Sequence, residues 1–354
     1  MQTSLARRPL YLINAQAPIR ICDIGGWTDT WFAGYGRVFN IAVSPYAKVQ
    51  IKVYPRDAQD EQVFLSVENF ADRYNLDLDQ PGWQRHPLLE AAIRYRGVPD
   101  HLAVQIRLDC EAPAGASTGT SAAVCVTLIG ALDCLASRRI SPRRVAAAAH
   151  HVETGLLGRQ SGVQDQLCSA YGGVNYIDIP VYPQSMVTRL PLTNPFGREL
   201  ERCLALVYLG RSHDSSQVHQ QVMAELENQG PHCQQLQDLR QAALQARQAF
   251  LDADLVALGK AMRSNTAAQG RLHPELISAD ARRVIAIARE HGALGWKVNG
   301  AGGEGGSLTL LCGPQTAAKN AMLHEIQQEN PLFQPIPIHL DRHGLWVWQV
   351  SPQE

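Results

Sequence analysis

The sequence predicts an α+β fold in two lobes. Three observations carry this: strand patterning gathers in the first third, helical periodicity gathers beyond residue 204, and the chain is 354 residues long. That length suits two domains of roughly 100–200 residues, each able to bury its own core. Strands and helices segregate rather than alternate strictly, which favours α+β over a doubly wound parallel sheet.

Residues 10–22 and 38–54 alternate apolar and polar positions and are rich in β-branched side chains, so both are predicted strands, broken by Pro18 and Pro45. Residues 86–95 predict a short helix opened by Pro87, and 103–110 return to strand. From Thr120 to Ala136 an apolar run, with Gly130 its one glycine, predicts a buried helix that starts on a Gly/Ser/Thr turn. A second helix, 141–157, follows Ser141-Pro142, an N-cap and a first-turn proline. Strand patterning resumes at 174–179. The Pro-rich stretch 180–195 then reads as a linker between an N-terminal segment, 1–185, and a C-terminal one, 186–354.

Past the linker, 204–209 predicts a strand, and 214–228, 232–251 and 253–269 predict amphipathic helices. The Gln-rich character of 217–248 reads as a solvated helical face, because apolar residues recur every three to four positions. Ser278 caps a further helix in which Ala281, Val284, Ile285 and Ala288 share a face. Two strand patterns, LGWKVNG and SLTLLC, flank a final glycine cluster.

Lys and Arg number 32 against 33 Asp and Glu, so no global field draws nucleic acid or an anionic membrane to the chain. An anionic ligand must be held by a local site. Eight cysteines, with no CxxC pair and no zinc-type His spacing, read as free thiols in a reducing compartment. The first residues lack the apolar core of a secretory signal, and no run approaches the roughly 20 apolar residues of a membrane span. The expectation is a cytoplasmic protein with neither membrane nor nucleic acid as partner.

Three constellations carry chemistry. In the first, Pro113-Ala-Gly115-Ala116-Ser117-Thr118-Gly119-Thr120-Ser121-Ala122-Ala123 runs into the apolar helix. Small side chains let backbone N–H groups approach an anion, and the helix N-terminus adds partial positive charge. No Gly-Lys-Ser/Thr ends the loop, so it is not a Walker A sequence. A turn with ordinary helix capping is the alternative.

Glu153 and Asp165 form the second, with Gly158 and Gly162 between them. Phosphoryl transfer needs a Mg²⁺ ligand and a group that orients the attacking hydroxyl, and a carboxylate suits each task. A surface Glu and a helix-capping Asp are the alternative reading.

The third is Lys297-Val-Asn299-Gly300-Ala-Gly302-Gly303-Glu304-Gly305-Gly306-Ser307. Its Gly300-x-Gly302-x-x-Gly305 string matches a dinucleotide fingerprint, but that turn must open a helix and here a strand follows. A glycine-rich hairpin bringing backbone close to a ligand or to the other lobe is the better account.

In order and spacing these motifs, with Ala17-Pro18-Ile-Arg20-Ile-Cys-Asp-Ile-Gly25-Gly26-Trp27-Thr28-Asp29-Thr30 ahead of them, resemble the GHMP kinase superfamily over almost the whole chain. Gly26-Trp27-Thr28-Asp29, Gly119-Thr120-Ser121 and Gln164-Asp165-Gln166 look closest to its fucokinase and heptose kinase branch. The resemblance implies a ribosomal-protein-S5-like N-terminal lobe and a ferredoxin-like C-terminal lobe. It also implies an ATP-dependent sugar kinase acting on the anomeric hydroxyl of a sugar or sugar phosphate, as a monomer or homodimer. By that resemblance Asp165 is the catalytic aspartate and Arg20 stabilises the transferring phosphoryl. Asp29, Gly26, Trp27, Thr28, Gly162, Ser212 and Gly302 meet the substrate, and residues 113–122 hold ATP. Glu153 and the hydroxyls of Thr120 or Ser121 hold Mg²⁺. His213 and Trp31 are further candidates for the sugar site, with packing the alternative.

The chain departs from the family where Gly-Leu-Gly-Ser-Ser becomes Ser117-Thr118-Gly119-Thr120-Ser121, and where Glu304 stands in the third motif. Rival readings are a mevalonate-type kinase, whose anionic substrate Asp29 would repel, and a non-catalytic regulator that binds sugar and ATP.

Overall fold

The computed structural model describes residues 8–211 and 216–351. The first sheet begins with the antiparallel pair β1 (Tyr11–Ile24) and β2 (Gly36–Pro55), and continues with β3 (Val63–Val67), β4 (Asp72–Asn75), β5 (Leu102–Cys110), β6 (Val174–Val181) and β7 (Gln184–Arg189). A second sheet holds β8 (Leu204–Tyr208), β9 (Gly295–Val298), β10 (Ser307–Leu311) and β11 (Gln334–Ile336) in the order β11-β8-β10-β9. The last strand, β12 (Trp346–Val350), returns to the first sheet beside β1, giving β12-β1-β2-β5-β3-β4, with β6 on β2 and β7 on β6.

Neither Pro18 nor Pro45 breaks its strand. Pro18 pairs with Tyr46 and Ile19 with Val43, so Ser44 and Pro45 bulge out of the ladder, a place where a missing N–H does no harm. The expected linker is also structured. β7 pairs antiparallel with β6, because Pro180 and Pro183 sit toward the turn and leave an alternating SMVTR stretch to form the edge. The boundary expected at residue 185 therefore falls inside a hairpin, and β12 ties the C-terminus to the first lobe.

Helices α1 (Pro87–Arg96), α2 (Thr120–Leu135), α3 (Pro142–His151) and α4 (Gln164–Tyr171) share one core with the first sheet. α2 is apolar on all sides and buried along most of its length, as such a helix must be. Ser141 caps α3 by accepting from the Arg144 N–H. The helix expected to reach 157 is α-helical to His151 and continues as a π turn, Val152–Leu156, that contains buried Glu153. Such turns concentrate at functional sites.

Farther along lie α5 (Asn194–Cys203), α6 (Ser216–Gln229), α7 (Gln234–Leu251), α8 (Leu255–Leu272), α9 (Ala279–Glu290) and α10 (Thr316–Glu329). Ser278 caps α9, and Ala281, Val284, Ile285 and Ala288 are all buried against the second sheet. The junction between lobes is itself a core: Ile21 of β1 and Phe39 and Ile41 of β2 join Ala246, Phe250, Leu258 and Met262 of α7 and α8. Burying a side chain such as Phe250 stabilises by about 1.5–3 kcal/mol. A junction packed in this way holds the two lobes in fixed register around the site. All eight cysteines are unpaired thiols. Among the described residues no helix is long and apolar enough to cross a membrane.

Candidate active site

The three glycine motifs meet at the lobe junction. β1 carries Arg20 and Asp23, and the loop after it carries Asp29. The Asp23 carboxylate accepts from the Gly300 N–H at 3.0 and 3.1 Å and faces Lys297 Nζ at 3.4 Å, which ties the first motif to the third. Burial pulls the Lys297 ammonium below its usual range, and Asp23 opposes that shift. Asn299 Oδ1 accepts from the Cys22 N–H, and Ser307 Oγ donates to the Ala116 carbonyl at 2.6 Å, which ties the third motif to the second. A Cβ at Gly306 would lie 2.8 Å from Ser117 Oγ. The glycine hairpin is therefore a close-approach surface for the 113–123 loop.

Arg20 joins the 113–123 loop to the carboxylate of α4. Its Nε donates to Asp165 Oδ1 at 2.8 Å and Nη2 to Oδ2 at 3.3 Å, while Nη1 donates to the Ser117 carbonyl. Asp23 lies 3.8 Å away. Burial works against the guanidinium's charge, but Asp165 and Asp23 outweigh it and hold its pKa above the usual arginine value. Gly119, at φ +70°, lets the loop pass here: a Cβ there would sit 3.2 Å from both Arg20 and Asp165.

A cavity of about 510 Å³ opens over this pair, bordered by Arg20, Trp27, Asp29, Gly162 and Asp165 among the expected residues, and by Trp31. Asp23, Phe32, Arg159, Gln164 and His219 border it too and were not anticipated. Trp27 holds an unusual φ of +75°, and its ring packs edge-on to His219 at 5.4 Å and tilted against Phe32 at 6.2 Å. Backbone outliers of this kind concentrate where function over-determines geometry. Trp27 Nε1 and Gln164 Oε1 are buried with no protein partner among the described residues, one donor and one acceptor at the cavity wall.

Asp29 is 3% exposed and accepts from the Gln164 N–H at 3.1 Å. Burial, reinforced by the charge of Asp165, pushes its pKa up to about 6. Two consequences follow for measurement. A carboxyl raised in the fold stabilises it most fully below its unfolded pKa, and that contribution is lost as pH rises through about 6. A ligand hydroxyl donates best to the ionised form, so a hydroxylated ligand in this cavity should bind more tightly as pH rises through about 6, and Asp29→Asn should flatten that limb of the profile. A pH-independent affinity in the wild type would remove Asp29 from ligand contact. Gly162 abuts the same carboxylate, and a Cβ there would collide with Asp29 Oδ2. Overpacking costs about 1–3 kcal/mol, so Gly162→Ala should lower the unfolding free energy by about that much. An unchanged urea midpoint would show that Asp29 is free to move aside.

Other expected residues support the site without bordering the cavity. Thr28 is wholly buried, and its hydroxyl donates to the Gly25 carbonyl and accepts from the Arg37 N–H. Gly26 packs behind Asp23 and Gln164. Gly302, at φ +85°, has its carbonyl 3.1 Å from His219 Nε2 and no room for a Cβ beside Leu276. Ser212 and His213 lie outside the described residues.

A second cavity, of about 360 Å³ and mostly apolar, lies beside Gly115, Thr120 and Ser121. Its far wall comes from Val67, Phe70 and Leu88, which sequence reading missed because a short strand, a 3-10 turn and a first helical turn supply them. Ala116, Thr118 and Ala122 are buried beneath the loop, and Pro113, Ser117 and Gly119 shape it without bordering this cavity. The first N–H groups of α2, from Thr120 to Ala122, have no intrahelical acceptor. Glu153 is buried and makes no ion pair among the described residues. Desolvation, with Asp165 adding to it against a hydrogen bond from Ser161, raises its pKa.

Residues 87–173 match the family described as GHMP kinases N terminal domain, and 223–326 match GHMP kinases C terminal. The chain is 23% identical over 373 residues to an L-fucokinase/L-fucose-1-P guanylyltransferase of Bacteroides fragilis, matching 95% of this chain and 38% of that protein. It is 32% identical over 211 residues to a mevalonate kinase of Methanothermobacter thermautotrophicus, matching 59% of this chain and 64% of the other. With a D-glycero-alpha-D-manno-heptose 7-phosphate kinase of Campylobacter jejuni it shares 22% over 358 residues, or 96% and 99% of the two chains. The crystal structure of a D-glycero-D-manno-heptose 1-phosphate kinase from Bacteroides thetaiotaomicron shares the fold with a TM-score of 0.74, at 19% identity and over 96% and 100% of the chains. Both terminal domains of the family are present, in order and around one site, and the chain belongs to the GHMP kinases.

Proposed function

We propose that this protein is an ATP-dependent sugar kinase that transfers the γ-phosphoryl group to a sugar hydroxyl, with the anomeric position of a heptose, fucose or similar sugar as the expected acceptor. The observation that carries the reading is the Arg20–Asp165 pair, which stands on the floor of the 510 Å³ cavity and is hydrogen-bonded to the phosphate loop at Ser117. In this reading the apolar cleft at Phe70 and Leu88 takes the nucleotide base, and the free N–H groups of α2 take the triphosphate.

The sugar lies against Asp29 and Trp27 with its reacting hydroxyl at Asp165. Asp165 orients that hydroxyl and accepts its proton, while the Arg20 guanidinium, fixed by two carboxylates, faces the charge that develops on the phosphoryl oxygens. Glu153 and the Thr120 and Ser121 hydroxyls offer hard oxygen donors that fit Mg²⁺. No group of three or more His, Cys, Asp or Glu among the described residues is placed to hold a metal ion by itself. When bound, the ion neutralises phosphate charge.

The mevalonate-type reading has the match to mevalonate kinases in its favour. Against it stand Asp23, Asp29 and Asp165 around one cavity, which disfavour an anionic substrate. A coupled ADP-release assay with Mg-ATP and a panel of free monosaccharides, sugar phosphates and mevalonate tests the proposal. ADP formation with a sugar supports it, and turnover of mevalonate alone overturns it.

A further inference from the structure

We infer that Arg159 is a further catalytic residue, one that contacts the phosphoryl group in transit between the two cavities. The inference rests on the kinase reading above and concerns a residue to which that reading gives no part. Arg159 borders both the 510 Å³ cavity and the 360 Å³ cleft beside Thr120 and Ser121. Among the described residues it is the one that lines both.

Its charge is also free of any direct pairing among the described residues, and it acts on buried Glu153 only through space. Arg20 is held by Asp165, Asp23 and the Ser117 carbonyl, and Arg85, which borders the cleft, pairs with Asp72. The Arg159 guanidinium makes no hydrogen bond or ion pair among the described residues, and the side chain is exposed. Its backbone is anchored, because its N–H donates to the Glu153 carbonyl at 2.9 Å. Gly158 precedes it at φ +62° with no atom within 4 Å of a would-be Cβ, so the loop has room to turn. An anchored backbone with an unpaired cationic head suits a group that engages only when its anionic partner arrives.

The chemistry is balanced without a proton from Arg159. The bond between the γ-phosphorus and the oxygen bridging to ADP breaks, and its electron pair leaves with ADP. The acceptor oxygen forms the new P–O bond and gives its proton to Asp165. The guanidinium stays protonated and stabilises negative charge spread over the three equatorial oxygens, the task an arginine performs in other phosphoryl transfers.

The test compares the full chain with Arg159→Ala and Arg159→Lys. Equilibrium binding is measured with Mg-ADP and with the Mg complex of AMP-PNP, a non-hydrolysable ATP analogue, and kcat is measured on whichever sugar of the panel releases ADP, with and without methylguanidinium. Arg159→Ala should lower kcat by about 10²–10³-fold. It should weaken AMP-PNP but not ADP and regain part of its rate from methylguanidinium, at the wild-type unfolding midpoint. An unchanged kcat, or equal loss of ADP and AMP-PNP affinity, would overturn the inference. Should the wild type turn over no sugar, the sugar-kinase reading fails, and the AMP-PNP against ADP comparison still decides Arg159.

Discussion

Asp165→Asn should reduce kcat by about 10²–10⁴-fold, the range for a positioned group that handles the proton of the attacking hydroxyl. The substitution keeps the shape of the side chain and removes its charge. Arg20 would retain Asp23 and the Ser117 carbonyl, so the local framework survives while the ionised partner at 2.8 Å is lost. Because phosphoryl transfer is loose and needs little early deprotonation, much of the loss should come from a misoriented hydroxyl. The effect should accordingly fall on kcat and leave nucleotide affinity close to that of the wild type. A variant that turns over ATP and sugar at the parent rate would remove Asp165 from the chemical centre.

Arg20→Met should be the most damaging change to the fold near the site. Arg20 is 4% exposed and lies among Asp23, Asp165 and a backbone carbonyl, so its removal takes the ion-pair partner from part-buried Asp165 and leaves buried Asp23 to Lys297 and the Gly300 N–H. Breaking such an arrangement costs about 3–5 kcal/mol, to be read as a lowered urea midpoint at constant slope. Arg20→Lys keeps the charge but cannot reproduce the two-pronged contact with Asp165, and should fall between the two. An Arg20→Met protein with the wild-type midpoint would mean that Lys297, 3.4 Å from Asp23, suffices to balance the cluster.

Much of this was legible from local pattern. Strands β1 and β2, the wholly apolar α2, and the caps at Ser141 and Ser278 each announce themselves over a few residues, because alternation, all-round apolarity and N-capping are short-range signals. The elements that escaped were β3, β4, β7, β11 and β12, six residues or fewer, and α5 and α10; the short strands in particular are stabilised by pairing or packing with other segments. Prolines misled in both directions. At 18 and 45 they suggested breaks where a bulge absorbs them, and at 180 and 183 they suggested a linker where they only frame a hairpin.

At the site, residue type singled out Asp165 and the family resemblance pointed to Arg20 and Asp29, and the three do converge. Thr28 and Gly302 belong to the right motifs but serve backbone and packing, a distinction that depends on side-chain direction. Asp23 was visible in its motif, yet its work is done on Lys297 and Gly300 more than 270 positions away, beyond the reach of spacing arguments. The apolar cleft wall at Phe70 and Leu88 was hidden for a similar reason, since such residues read as core until the fold leaves one side open.

The most direct test of the account is a ³¹P NMR time course on the protein with Mg-ATP and the sugar that releases ADP. The account predicts that the γ-phosphoryl signal is replaced, one for one, by that of a sugar monophosphate, and that Asp165→Asn slows this exchange without changing the product. Inorganic phosphate as the only product, or ADP release with the sugar recovered unmodified, would contradict it.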